Sequence, residues 1–301
     1  MIPSRLFRPV GAIAALVFAL TGAARAATFS YDTSGIFNDV IAESGTYRIS
    51  LAGGNGSTVL TNGAPGGVGG LVIGEVDLLI GQGFTVVVGG NGADGLNAGG
   101  GMSLFTTQSI STGIDPTGLL AVAGGGGGGN SAGFQGGAGG ALVGGTGHGG
   151  AVLTDTDFFG NFTAGGGGGA GVLSDGDGNN VGGKTAPSFE GSGVAGGFGG
   201  GGAGRSASGG GGGGFTGGDG GLIFQSDGKG GTSFVSADFF NTLLTPGDQR
   251  SETTPTAFVT IELISADPIP VPAAAPLLGS ALAGFGALRW RQRRKTPGAP
   301  I

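Results

Sequence analysis

An all-β fold is predicted: a small antiparallel β-sandwich carrying a large glycine-rich insert, with an N-terminal signal helix before it and a short C-terminal transmembrane helix after it. Three observations predict it. Residues 45–51 and 257–263 alternate apolar and polar with period two, the mark of half-buried strands. Residues 53–231 hold 69 of the chain's 78 glycines, yet large apolar side chains punctuate them. Between residues 27 and 268 no segment has the 3.6-residue apolar period of a long amphipathic helix.

The chain has 301 residues. At its start, Arg5 and Arg8 form a positive n-region, residues 10–20 an apolar h-region, and Ala24-Arg25-Ala26 an A-x-A site. Residues 1–26 therefore read as an export signal, with Ala27 as the first mature residue. Residues 27–265 form the glycine-rich β domain. In it, Gly45-Thr46-Tyr47-Arg48-Ile49-Ser50-Leu51 is the first strand, residues 71–76 and 78–80 are β-rich, and residues 84–88 follow a Gly81-Gln82-Gly83 turn. Residues 119–123 lead directly into a long glycine run, and residues 257–263 close the domain, with Phe258 or Val259 heading the buried face. The economical assembly brings the first and last strands together and treats the glycine tract, residues 53–231, as a crossing insert.

Glycine makes up 39 per cent of that tract and forms uninterrupted runs at residues 124–129, 165–169, 199–202 and 209–214. Each glycine costs about 0.5–1 kcal/mol more to order than alanine, so the set opposes folding by tens of kcal/mol. Flexible linkers combine glycine with serine, proline or charge and avoid large apolar groups. Here Phe134, Leu142, Val143, Phe158, Phe159, Phe162, Phe198, Phe215, Ile223 and Phe224 interrupt the runs. Collagen needs glycine at every third residue and abundant proline, whereas this tract has no such period and only Pro65, Pro116 and Pro187. What remains is close packing of extended threefold chains lacking Cβ, joined by N–H···O=C bonds and Cα–H···O contacts, with phenylalanines at their ends or edges.

Charge and cysteine content narrow the function classes. Of thirteen Lys and Arg, three lie in the leader and five in the tail, leaving Arg48, Lys184, Arg205, Lys229 and Arg250. Five cations against nineteen acids leave the mature part at −14. This excludes a basic nucleic-acid footprint and argues against anionic lipid surfaces, while suiting cations or sugars. The chain has no cysteine, so there are no disulfides, thiolate metal sites or Cys nucleophiles.

Residues 266–301 read as a cleavable address. Ile269-Pro270-Val271-Pro272-Ala273 precedes an apolar helix at residues 273–288 and a basic tail at residues 289–295, which contains Arg289, Arg291, Arg293, Arg294 and Lys295. Sixteen helical residues span about 24 Å, short of the roughly 30 Å hydrocarbon core of a bilayer. The cations stay in the cytoplasm, which places everything before Ala273 across the membrane. This tail resembles the PEP-CTERM sorting signal, in particular its VPLPA variant. The match rests on Pro270, Pro272, Ala273, Arg289, Arg291, Arg293 and Arg294, with Ile269 and Val271 where that variant has Val and Leu. The resemblance implies processing by an exosortase-type enzyme, transient membrane anchoring through the C-terminal helix, and delivery to the outer surface or exopolysaccharide-rich matrix of a Gram-negative bacterium. A permanent C-terminal anchor is the plainer alternative.

The order of elements in the body also resembles the glycine-rich region of the anaplastic lymphoma kinase and leukocyte kinase ectodomains. The likeness rests on Ser44-Gly45-Thr46-Tyr47-Arg48-Ile49 before Ala52-Gly53-Gly54-Asn55-Gly56, on residues 84–89 and on Leu120-Ala121-Val122-Ala123-Gly124. Gly213-Gly214-Phe215-Thr216-Gly217, Gly231-Thr232-Ser233-Phe234 and the strand at residues 258–261 complete it. It implies a small β-sandwich bearing a bundle of polyglycine helices and used for binding outside the cell. That family's cysteines and kinase are absent, so receptor signalling does not carry over.

Few motifs suggest chemistry. Residues 89–97, Gly-rich and including Asp94, match one copy of the nonapeptide of calcium-binding β-rolls; those sites need stacked copies, which favours a structural loop. Asp175-Gly176-Asp177-Gly178-Asn179 resembles the start of an oxygen-ligand calcium loop. However, Asn180 replaces the expected glycine and Ala186 the bidentate glutamate, leaving Asp175 and Asp177 as a weak cation site. Gly129-Asn130-Ser131-Ala132-Gly133 has the letters of a nucleophile elbow, which coincidence explains in so glycine-rich a tract. His148, the only histidine, reads as a solvated side chain, and Asp155 with Asp157 as a polar turn. No catalytic set, cofactor or metal site is assigned. The expectation is a non-enzymatic, exported surface or extracellular-matrix protein, with a binding module for a glycan or protein ligand as the alternative.

Overall fold

The structure, a computed structural model, describes residues 28–59, 64–140, 144–152, 154–156, 162–178, 182–191, 196–204, 207–223, 225–250, 257–267, 285 and 290. The chain divides into two compact units, Met1–Ala266 and Asp267–Ile301. The described strands are β1 (Thr28–Tyr31), β2 (Gly35–Val40), β3 (Gly45–Ala52), β4 (Leu71–Leu78), β5 (Gly83–Val88) and β6 (Ser103–Thr106). They continue with β7 (Leu119–Ala123), β8 (Thr154–Thr156), β9 (Phe162–Ala164), β10 (Phe234–Val235), β11 (Phe240–Thr245) and β12 (Phe258–Ala266). One five-stranded sheet runs β1-β12-β3-β4-β11 and a second runs β10-β7-β6-β5-β2, with β8 and β9 forming a separate hairpin. All these pairings are antiparallel.

The predicted all-β architecture is therefore present, and the first alternating segment does pair with the last: Ile49 lies opposite Ile261 and Leu51 opposite Val259. Alternation explains the first sheet. Tyr47, Ile49, Leu51, Val259, Ile261 and Leu263 point inward and are buried, while Arg48, Glu262 and Asp77 face water. Residues 71–78 form one strand rather than two, leaving Leu79 and Ile80 exposed in the turn at 65% and 67%. Within β4, Gly74 lies on the core face and leaves room for the buried ring of Phe239; a Cβ at Gly74 would collide with it.

The second sheet is covered on both faces. Phe84, Val86, Val88, Phe105, Ala121 and Ala123 join the core shared with the first sheet. Val87, Leu104, Leu119 and Val122 on the opposite face pack with Met102, Ala170, Val172 and Phe189, flanked by Phe198 and Phe215. Burial on both sides accounts for the unbroken apolar runs in β5 and β7, which show no alternation. Phenylalanines of the glycine tract thus seal the second sheet, although Phe134 remains 44% exposed. Strands β1, β2, β6, β10 and β11 and the β8–β9 hairpin are not anticipated from sequence. They have two to six residues, and partners define them more than pattern does.

The glycine tract is not one crossing insert, which corrects the expectation. Five of its segments are extensions of strands: β3 runs into residues 53–57, β4 is entered from 66–70, β5 runs into 89–92, β6 is entered from 97–101 and β7 runs into 124–129. Along the last of these, hydrogen-bond partners recur every third residue. Gly125 and Gly128 donate to Gly213 and Gly210 at 2.7 and 2.9 Å, Gly126 and Gly129 donate to Gly54 and Ser57, and Gly127 donates to Gly137. Carbonyls follow the same cycle: Gly124 and Gly127 accept from Gly70 and Gly67, Gly125 and Gly128 from Gly231 and Gly228, and Gly126 from Gly100. A β-strand alternates between two neighbours, whereas a threefold chain of polyproline-II type can address six. Residues 124–129 are surrounded by six segments.

Glycine is required there for its missing Cβ. Left-handed φ occurs at turns such as Gly81 and Gly133 and not within this run. A Cβ on Gly125, Gly126, Gly127 or Gly128 would fall within 3.0 Å of the carbonyl of Gly100, Gly67, Gly228 or Asn97. Without side chains, the two layers also fuse. Facing sheets normally sit about 10 Å apart. Here Gly54, extending the first sheet, donates to Gly101 at 2.8 Å and accepts from Gly126 at 2.9 Å, both extending the second. Two fully buried serines mark the seam. Ser103 Oγ donates to the Ala52 carbonyl at 2.6 Å and accepts from Gly89 N–H at 2.9 Å, while Ser233 Oγ accepts from Gly124 N–H at 3.1 Å. An N–H left without such a partner at these depths costs about 1–3 kcal/mol.

Candidate functional site

A body built from main chain must close its rim, because each outer segment has donors and acceptors facing outward. Short polar side chains do this. Asn91 Oδ1 accepts from Asn55 N–H at 2.9 Å and Asn55 Oδ1 from Gly69 N–H at 3.0 Å, while inside the body the fully buried Ser57 Oγ accepts from Ala98 N–H at 2.6 Å. Ser174 Oγ accepts from Gly149 N–H and Thr216 Oγ1 from Gly147 N–H. Arg250 works from the donor side: its Nη1 reaches the Gly69 carbonyl at 2.6 Å, and burial holds its guanidinium pKa below the ordinary value. Asp219 combines both tasks. Burial opposes its ionisation, but the Lys229 ammonium at 2.8 Å and the Ala151 N–H at 3.0 Å outweigh it and lower the carboxyl's pKa.

The calcium candidates have structural partners. Asp175 accepts from Lys184 Nζ and from Thr185 N–H, both at 2.9 Å, which occupies one carboxylate oxygen each. Asp177 is exposed, and its backbone bonds Gly150 and Gly168 within the bundle. Asp94 Oδ1 meets Thr58 N–H at 3.4 Å. Its segment lies along residues 55–58 in the same three-residue cycle, with Gly92 donating to Asn55 and Gly95 to Thr58. Among the described residues no group of three His, Cys, Asp or Glu side chains gathers in metal-binding geometry. His148 Nδ1 lies 3.5 Å from Ser174 Oγ. Asp157 lies outside the described residues, as do Pro270, Pro272, Ala273, Arg289, Arg291, Arg293 and Arg294 of the sorting motif. Among the described residues no helix is long and apolar enough to cross a membrane.

The clefts among the described residues include two open ones. One, of about 270 Å³, lies between Asp32, Thr33 and Ser34 and the start of the glycine segment after β5. The other, of about 220 Å³, opens where β6 parts from β5 after Thr106, leaving Gly83, Phe84 and Thr85 facing Thr107, Gln108 and Ser109, with Asn38 and Asp39 of β2 beside them. Sequence reasoning missed both, since the lining comes from segments dozens of residues apart that carry no motif.

Beside the second cleft, Tyr31 donates to Asp39 Oδ2 at 3.4 Å and packs on Phe37 with ring centroids 4.9 Å apart. Burial, then the Asp39 charge and hydrogen bond, push the Tyr31 phenol up to about 12. Burial also raises Tyr47, whose hydroxyl donates to the Glu43 carbonyl at 2.7 Å. A raised folded-state pKa favours the neutral phenol, so this stability is complete below about pH 10 and is lost as pH climbs through the folded values. The chain has two tyrosines, both in this body. Tyrosinate absorbance near 295 nm is expected to appear late, together with unfolding; titration near pH 10 with intact circular dichroism would contradict the assignment.

No protein-family model and no curated protein matches the chain.

Proposed function

We propose that this is an exported, non-enzymatic surface or extracellular-matrix protein, anchored for a time by its C-terminal helix and sorted by an exosortase-type enzyme to an envelope rich in polysaccharide. The observation that carries the reading is the bundle itself: a cysteine-free body joined main chain to main chain, with outer backbone groups met by Asn55, Asn91 and Arg250. Such a body owes nothing to the redox state of its surroundings. The two end signals add direction, export at residues 1–26 and the PEP-CTERM-like tail at residues 266–301. Likeness to the glycine-rich region of receptor kinase ectodomains supports the sandwich-plus-polyglycine description and an extracellular setting.

Deleting residues 268–301 tests the sorting role. The expected outcome is redistribution of most of the protein away from the cell surface, read by fractionation and surface labelling. Unchanged surface retention rejects it. A second reading, an extracellular binding module for a glycan or protein ligand, is favoured by the polar cleft lined by Asp32, Thr33, Ser34 and Asn91.

A further inference from the structure

We propose that the turn between β4 and β5 rests on the membrane that holds the C-terminal anchor, and that the surface it meets is zwitterionic lipid. The proposal rests on the anchoring reading above and gives the body a membrane-facing end. Topology defines that end. The glycine segments leave β3 after Ala52 and β5 after Val88, so the β4–β5 turn lies at the other end of both sheets. The chain leaves the body at the same end. Gly45 of β3 lies opposite Leu78 on one side and Ala266 on the other, which puts the turn and the exit two strand spacings apart, about 10 Å.

The turn is built unlike one that faces water. Turn tips are usually Gly, Pro, Asn, Asp or Ser. This one presents Leu79 and Ile80, the most exposed large apolar side chains among the described residues of the body, with the exposed Val40 beside them opposite Gly83. Its N–H groups are all taken within the protein. Leu79 donates to Gln82 Oε1 at 3.0 Å, Ile80 to Ser44 Oγ at 2.8 Å, Gly81 to the Ile41 carbonyl at 2.8 Å and Gln82 to the Leu79 carbonyl at 3.0 Å. Ile41 N–H donates in turn to the Gln82 carbonyl at 2.9 Å. Internal partners for these donors are what a segment entering lipid requires, because hydrocarbon offers no hydrogen bond in exchange for water's. Single exposed apolar residues need no explanation, but an adjacent pair on a turn closed in this way does.

The length of the chain commits the occupant. Residues 267–272 separate Ala266 from the apolar segment at 273–288, and that much extended chain reaches at most about 25 Å. With the apolar segment in the bilayer, this end of the sandwich stays at the membrane surface. Tethering of this kind gives a local concentration in the millimolar range, so a few side chains hold where they would not from free solution. Charge selects the lipid. Asp39, Glu43, Asp77 and Asp267 lie at this end, and residues 28–47, 76–88 and 257–267 contain no Lys or Arg. Anionic headgroups are therefore repelled, and the apolar tip makes the contact on lipid without net charge.

The test uses the intact chain in phosphatidylcholine vesicles. Because the chain has no cysteine, a single nitroxide label can be placed at Gly83→Cys, where a Cβ meets nothing within 4 Å, or at Ala132→Cys, exposed beyond the glycine run 124–129. The chain is expected to float with the vesicles. The label at position 83 is expected to favour collision with oxygen over a water-soluble nickel chelate by at least about fivefold more than the label at position 132. Leu79→Ser combined with Ile80→Ser brings the two labels to the same ratio while the melting temperature holds. Equal ratios with the tip unsubstituted, in a chain that still floats, overturn the contact and leave the anchor standing. A high ratio that persists in the double variant overturns Leu79 and Ile80 as its cause. Spin–spin broadening between labels at position 83 marks a second copy on the tip and overturns lipid as the occupant. A ratio that rises when phosphatidylglycerol is added overturns the zwitterionic assignment, and a chain that does not float overturns anchor and contact together.

Discussion

Gly127→Ala is expected to unfold the protein or to lower its melting temperature by about 10–20 °C, the equivalent of the 4–5 kcal/mol that marks an exceptional single substitution in a domain this size. The added methyl would land on the carbonyl of Gly228, while Gly127 itself donates to Gly137 and accepts from Gly67, each at 2.8 Å. In a side-chain core an extra methylene costs about 1–3 kcal/mol, because rotamers and small shifts absorb it. Here every neighbour is main chain. Moving one segment away stretches its bonds to several others, so relief at Gly228 is bought with losses at Gly128 and Gly137. The comparison variant is Gly83→Ala, whose Cβ meets nothing within 4 Å; it is expected to be neutral or stabilising by about 0.4–1 kcal/mol, through lower entropy of the unfolded chain. Thermal unfolding of both decides the matter, and a Gly127→Ala melting point within about 2 °C of the parent's would refute close backbone packing as the cause of the glycine requirement.

The second large effect concerns hydrogen exchange. Amides of Gly125, Gly126, Gly127 and Gly128 donate to three different segments at 2.7–2.9 Å and belong to buried residues. None can open without disturbing several chains, so their exchange should require global unfolding. For a domain stable by about 5–15 kcal/mol this means retardation of at least about 10⁴-fold relative to an unstructured peptide. Amides of the exposed connection 32–34 should exchange much sooner. Glycine-resolved exchange by NMR or mass spectrometry measures this directly. Coil-like rates at residues 125–128 would mean the tract is a spacer, and the proposed matrix body would lose its basis.

Both predictions concern a part of the chain where residue type was legible and partnership was not. The strands at residues 45–51 and 257–263 could be read because one face is dry and the other wet, and period two records that difference. Strand β7 was legible as an apolar run, but nothing in Leu119-Leu120-Ala121-Val122-Ala123 tells whether one face or both are covered; Ala170, Val172 and Phe189 supply that answer from far along the chain. Strand β2 (Gly-Ile-Phe-Asn-Asp-Val) escaped notice because it is an exposed edge, with Ile36 at 37% and Val40 at 52%. Asn38, Asp39 and Gln108 at the cleft beside β5 were illegible for a related reason, since a hollow lined from segments far apart in the chain has no spacing rule.

What the sequence by itself determined is the class of solution. Alternation in the first and last strands, the absence of cysteine and the phenylalanines among the glycine runs require antiparallel sheets and a glycine region with apolar groups to bury, without disulfides. What only the tertiary structure decided is who bonds to whom. Ser103 and Ser233 at the seam, Arg250 on the Gly69 carbonyl and the six segments around residues 124–129 show this: strands β3, β4 and β6 deliver residues 54–57, 67–70 and 100, while residues 137 and 210–213 adjoin no described strand. The physical reason is that a glycine carries no side chain to encode a neighbour: its main chain bonds equally well to any other, and only the assembled body chooses among them.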